Sequence, residues 1–251
     1  VVDTATDSRT GFTDDGMGDH PADTLVSGYE YGSVTRGLAA YYPFEGDATD
    51  AVGTYDADLT LSGATFAGAG QVGSDSLALD GVDDYASAAA APWQSPPQLT
   101  VAAWIYPTGF TDTYSRVVAH DGSTQAYQLL VANQSKAGFR VWTTNTTAAG
   151  VLGFGPDIPT GQWTHLAGTY DGSQVVGYVN GDPYELDTAS GSVQDGTGPF
   201  TIGRRSDTTQ EHWQGQIDDV RVYDRALGSG EITHLASLTS PSTVTMEDRL
   251  R

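Results

Sequence analysis

Residues 162–188 read QWTHLAGTYDGSQVVGYVNGDPYELDT, and this stretch decides the fold. Three short runs rich in β-branched and aromatic residues are separated by Asp171-Gly172 and Asn180-Gly181. Asp-Gly and Asn-Gly supply the positive φ angles that two-residue hairpin turns require. The stretch therefore reads as three antiparallel strands joined by tight turns. Alternation in QVVGYVN gives that strand one buried and one wetter face, as in stacked antiparallel sheets.

The same texture extends outward. LAAYYPF, SLALDG, LTVAAWIYP, RVVAH, YQLLVAN, GFRVWTT, FTIG and QIDDVRVYD are short apolar or alternating runs bounded by Gly, Asp, Asn and Pro. Their spacing is that of an all-β sandwich. The chain holds 31 glycines and few helix formers, in keeping with this. One short helix is expected after Gly228, over GEITHLA, with Ser229 as its cap. Residues 1–36 lack periodicity and core formers and read as a polar arm or linker. Residues 238–251 read as a tail, which leaves 37–237 as the folded domain.

The 251 residues carry 32 acidic against 11 basic side chains, a net charge of −21. Such a chain is repelled by nucleic acid and by anionic membrane surfaces. No run of 18 apolar residues is present, so no membrane insertion by this chain is expected. There is no cysteine, which excludes disulfides and thiol catalysis. Lys136 is the only lysine, and Asp outnumbers Glu by 26 to six. At molar salt the screening length falls to about 3 Å and self-repulsion fades. The composition points to a halophile or its virus, and to a protein stabilised by salt.

In this order the blocks resemble the laminin G-like jelly-roll domains of the concanavalin A-like lectin/glucanase superfamily. The motifs are GLAAYYPFEGDATDAVGTYDADLTLSGATF, LALDGVDDYAS, LTVAAWIYP, TGQWTHLAGTYDGSQVVGYVNG and FTIGRRSD…HWQGQIDDVRVYDRALGSGEITHLA. They span roughly 37–237. The resemblance implies two curved antiparallel sheets packed as a jelly roll.

It also requires a test for catalysis. Retaining glycosidases need two carboxylates about 5–5.5 Å apart, usually alternate residues of one strand. The glucanase branch carries Glu-x-Asp-x-Glu on one strand, and that motif is absent here. Glu185-Leu186-Asp187 comes nearest, but Ala189 stands where the third acid would be. No Gly-x-Ser-x-Gly occurs either. The reading is a protein that is not an enzyme, with His165 in a structural role.

A Ca²⁺ ion is expected, because hard oxygen ligands on a Gly-containing loop suit it. By the resemblance the ion sits where the first loop meets the last long strand. The ligands implied are Asp47 and Asp50 from the loop and Asp218 and Asp219 from the strand. The family's Ser and Asn in that loop are replaced here by Ala51-Val52-Gly53-Thr54-Tyr55. For a ligand, Tyr114, Tyr127 and Trp142 offer stacking surfaces. Arg116, Arg204 and Arg205, with Arg140, are scarce cations suited to a carboxylate or sulfate. Asn133 and Asn145 begin glycosylation sequons at strand ends.

Two function classes follow. One is an extracellular lectin-like adhesion module that binds glycan on a cell or virion surface. The other is a structural subunit of a filament, surface layer or virion, assembling through the N-terminal arm.

Overall fold

The computed structural model describes residues 34–53, 57–89, 96–110, 112–207, 210–242 and 244. Residues 1–33 of the expected arm lie outside this set. The first sheet runs in the order β13 (Asp182–Thr188), β12 (Gln174–Val179), β11 (Thr164–Tyr170), β6 (Leu99–Gly109), β15 (Gln214–Tyr223), β4 (Asp75–Asp80) and β3 (Thr65–Gly68). Strand β1 (Leu38–Tyr42) also pairs with β15. The second sheet runs β10 (Ala149–Asp157), β9 (Lys136–Val141), β8 (Tyr127–Ala132), β7 (Tyr114–His120), β14 (Phe200–Ile202), β5 (Tyr85–Ala88) and β2 (Thr60–Ser62). All pairings between these strands are antiparallel. The expected jelly-roll sandwich is present.

Both hairpin turns of the 162–188 stretch form. Asn180 and Gly181 have φ of 52° and 87°. At the other turn Asp171 Oδ1 accepts the N–H groups of Ser173 and Gln174. The main core lies between the sheets and includes Leu77, Val101, Ile105, Phe139, Phe200 and Trp213. Phe139 fits because Gly168 faces it from the first sheet; a Cβ there would collide with the ring. His165 is buried edge-on against Trp104, ring centroids 5.2 Å apart, and burial lowers its pKa to about 4.

The two outer faces differ. That of the first sheet is apolar, with Tyr41, Ala102, Ala167, Tyr178 and Tyr223 covered by Leu227, Ile232 and Leu235. Ile232 and Leu235 come from the helix α1 (Ser229–Leu235). Its cap is Gly228 and not Ser229: the chain is extended at Gly228, and Glu231 reaches back to accept the Gly228 N–H at 2.9 Å. Both ends of the described chain join this layer. Tyr223 donates to the Val34 carbonyl, and the Ser242 amide donates to the Tyr41 hydroxyl. The outer face of the second sheet carries polar residues, and most of the expected binding residues lie there or at its edges.

Candidate functional site

Strands β7, β8 and β9 alternate, so one set of side chains enters the core and the other forms the outer face. Phe139 points inward, which places Arg140 and Trp142 outside. Arg116 and Gln128 are outside as well, and neither belongs to the core. Tyr127 falls on the inner set. It is buried in the core with its ring 5.5 Å from that of His120, and is no ligand surface. A single-residue change of register separates the two fates.

The outer face holds a buried polar cluster. The Arg116 guanidinium pairs with Glu211 at 2.6 Å and lies over the Tyr114 ring at 5.6 Å. Its Nε and Nη1 find no hydrogen-bond partner among the described residues. Gln128 Nε2 donates to both oxygens of Asp121 at 2.9 Å, while Gln128 Oε1 is unpartnered among those residues. Burial pushes the Asp121 carboxyl up to about 6, opposed by the Gln128 bond and by Arg116. Arg204 stacks on Tyr85 at 3.5 Å, and Arg205 pairs with Asp207. The expected cations therefore separate: Arg116 and Arg205 are held by carboxylates, whereas Arg204 and Arg140 lie on aromatic rings. Arg140 sits 4.6 Å above the Trp142 ring.

Trp142, 6% exposed, forms part of the wall of a cavity of about 340 Å³ at the loop end of this sheet. Ser123, Thr124 and Gln125 line it from the β7–β8 turn, residues 143–147 from the β9–β10 turn, and Gln194 from beyond β13. The two turns are tied together. The Trp142 amide donates to the Ala126 carbonyl, and Gln194 Nε2 donates to the Thr143 carbonyl, both at 2.8 Å. No lining residue is charged. Sequence reasoning found Trp142 but not its neighbours, because Ser, Thr, Gln and Asn in turns carry no local signal of convergence. Asn145, one of the two expected glycosylation positions, lines this cavity. Asn133 lies exposed in the β8–β9 hairpin turn with φ of 51°.

The four expected calcium ligands do not converge. Asp47 is exposed and accepts from Thr49. Asp50 is buried, and its Oδ1 accepts the amides of Tyr41 and Val52. A bulge in β15 opposite β6 falls between Asp218 and Arg221, with Asp219 at φ 50°, and leaves the two aspartates with different partners. Asp219 faces the covered layer, where Arg221 Nε and Nη2 bind it at 2.9 Å and Tyr41 donates to it at 2.8 Å. Its oxygens are thereby taken by a guanidinium and a phenol, not offered to a cation. Asp218 is fully buried. Its Oδ2 accepts from Gln71 and Val72, and its Oδ1 from the Asp219 amide. Burial pushes its carboxyl up to about 7, and no cation offsets this among the described residues. From the first loop it is Glu45, rather than Asp47, that reaches this corner: its carboxylate accepts from the Ser74 amide and hydroxyl. The Asp75 carbonyl and Asp218 Oδ2 both approach the point where a Gly70 Cβ would stand. The donors at this corner are all oxygens, the set a hard cation takes.

No curated protein sequence matches the chain. Among solved structures it is similar to domain 4 of AbnA, a GH43 extracellular arabinanase from Geobacillus stearothermophilus, determined in complex with arabinotriose. The TM-score is 0.61 at 24% identity, covering 80% of this chain and 98% of that one. The binding domain of Paraclostridial Mosquitocidal Protein 1 gives 0.63 at 16% identity, and the receptor binding domain of botulinum neurotoxin type G gives 0.60 at 11%. These cover 81% and 80% of this chain, which spans about half of each, 52% and 51%. At these identities the likeness is one of fold. A family model, Laminin_G_3 of the concanavalin A-like lectin/glucanases superfamily, matches residues 80–233, well over half of the sequence. With the two-sheet sandwich and these motifs in place, the chain belongs to the Laminin_G_3 family of that superfamily.

Proposed function

We propose that the chain is a non-catalytic, extracellular carbohydrate-binding module and that the cavity beside Trp142 is its sugar site. One observation carries this reading. On a chain of net charge −21, the cavity is lined only by hydroxyls, amides and one indole. Paired hydroxyl and amide groups match the donors and acceptors of a polyol, and an aromatic side chain suits the apolar face of a sugar ring. The binding-domain neighbours support it, as does the arabinotriose bound by domain 4 of the arabinanase. Arg140, stacked on Trp142, gives the rim one cation for an acidic sugar. The test is a glycan array probed with the full chain in high salt, followed by titration of the hits. Trp142→Ala should weaken binding by about 30-fold, the loss typical of an aromatic anchor. Gln125→Ala, at a half-buried turn position, should weaken it without disturbing the fold. Unaltered affinity in both variants would remove the cavity from consideration.

A Ca²⁺ ion at the Asp218 corner belongs to the same proposal, with Asp218, Glu45 and Asp75 as the residues that would hold it. Bound there, the ion neutralises a buried carboxylate and ties the first loop to β4 and β15. Adding Ca²⁺ at 100 times its dissociation constant should stabilise the fold by about 2.7 kcal/mol. Asp218→Ala should abolish that gain. A melting curve indifferent to chelator at matched ionic strength would mean that no ion binds.

The acidic surface supports a halophile, or a virus of one, as the source. Self-association through residues 1–36 is our proposal for how such a module would be mounted on a surface.

A further inference from the structure

We propose that His120 is an acid-sensitive latch on the cavity beside Trp142, packed under the loop of residues 194–198 and releasing that loop when it is protonated. This rests on the cavity being the sugar site and adds how pH controls it. His120 ends β7 and is fully buried. Neither of its ring nitrogens has a hydrogen-bond partner among the described residues. The Tyr127 ring meets it from β8, centroids 5.5 Å apart, and the register sets it opposite Phe200 of β14. The loop closes on the ring as well. A Cβ on Gly196 would stand 2.7 Å from the ring's Cδ2 and Nε2, so glycine is what lets the loop come this near.

The same loop holds the cavity wall. The Thr197 amide donates to the Thr124 carbonyl at 3.3 Å, and the Thr124 amide donates to Thr197 Oγ1 at 3.1 Å. Thr197 Oγ1 also shares a hydrogen bond of 3.0 Å with Ser123 Oγ. At the loop's other end the Gln194 amide donates to the Trp142 carbonyl at 2.8 Å. Ser123, Thr124, Trp142 and Gln194 all line the cavity. Protonation gives the ring a second N–H and a full charge where it already lacks partners, and a buried charge of that kind is costly. Burial outweighs Asp195 and the backbone of Gly196 and Gly198, which favour the charged ring, and holds it below its ordinary 6.5. Asp121, next in the chain, gives both carboxylate oxygens to Gln128. The closed loop is therefore favoured in full above about pH 6.5 and loses that advantage as pH falls. With the loop lifted, water reaches the ring and its ordinary basicity returns.

The test is amide hydrogen exchange of the full chain at about pH 7.5 and about pH 5.5, corrected for the intrinsic rate at each pH. One pH unit below the ordinary histidine value, the lifted loop gains about tenfold over the closed one. Protection of residues 194–198 should fall by that factor at the lower pH. His120→Phe keeps a ring against Tyr127 and cannot be protonated, so the fall should vanish in it. Asp121 titrates in the same range with the opposite sign and is retained in that variant. No sugar enters this measurement, so a failed glycan array counts against the cavity as a sugar site and leaves the latch standing. Protection that is the same at both pH values, or that falls equally in His120→Phe, would overturn the latch. If the variant does not fold, proton NMR of the unaltered chain decides. The His120 ring should titrate below 6.5, and the amides of residues 194–198 should shift with it. A midpoint at or above 6.5, or amides that do not move, would overturn the proposal.

Discussion

Asp219→Ala is expected to destabilise the protein by about 3–5 kcal/mol, the cost of stripping one partner from a buried ion pair. Arg221 is fully buried, and Asp219 binds its Nε and Nη2. The guanidinium also lies 4.1 Å from the Tyr41 ring centroid and donates to Ser242 Oγ at 3.0 Å. Removing the carboxylate leaves a buried cation and also takes the acceptor from the Tyr41 hydroxyl. For a chain of this size the melting temperature should fall by roughly 6–20 °C. The double variant Asp219→Leu, Arg221→Met should recover most of the loss, because replacing a whole buried pair by apolar groups is often near neutral. Urea unfolding of both variants is the measurement. A loss below about 1 kcal/mol for Asp219→Ala would mean that the pair is solvated and that the C-terminal segment does not seal it.

The pair was legible in principle. Asp219 and Arg221 are two apart on a strand and share a face by simple alternation. Two adjacent aspartates in the otherwise apolar QIDDVRVYD read instead as carboxylates in need of a cation, and the buried arginine two residues on was not matched to either. That is why Asp219 looked like a ligand when it is half of an ion pair. The architecture was more accessible. Asp171-Gly172 and Asn180-Gly181 fix turn geometry locally, and each strand of the 162–188 stretch follows from its own residues. The helix was placed correctly and its cap displaced by one, because Glu231 at the third helical position completes a box with a Gly that has no side chain. Phe139 and Trp142, three apart, separate cleanly into core and outer face. Tyr127 did not, since nothing in YQLLVAN says which of two nearly continuous apolar sets is inside. The cavity was illegible for another reason. Its walls come from three separate turns, and turn conformations carry little information about which other turn they will meet.

The two outer faces of the sandwich differ in what covers them. The first sheet's face is closed by its own chain, through α1, residues 34–38 and the segment up to Val244. The second sheet keeps polar groups on its face. It tolerates imperfectly satisfied atoms there, among them Arg116 Nε and Gln128 Oε1. Buried polar groups left short of partners cost stability, about 1–3 kcal/mol each.

Asp121→Asn should expose that cost directly, by stabilising the protein at neutral pH. The native carboxyl titrates at about 6, raised by burial from 3.8, so the folded state holds its proton more tightly than the unfolded state does. Its contribution is complete below about pH 4 and is lost as pH rises through 6. A window about two pH units wide, at 1.36 kcal/mol for each, gives a loss of roughly 3 kcal/mol for the wild type. The variant carries no such titration. The substituted amide can also complete what the carboxylate leaves open: its oxygen accepts from Gln128 Nε2, while its NH₂ donates to Gln128 Oε1. Above pH 6 the variant should therefore exceed the wild type by up to about 3 kcal/mol, and at about pH 4 the two should nearly coincide. Urea unfolding of both chains at about pH 4 and about pH 7.5 decides it. A difference that does not change with pH would show that Asp121 is ionised at little cost, and that the outer face holds no stored penalty at this position.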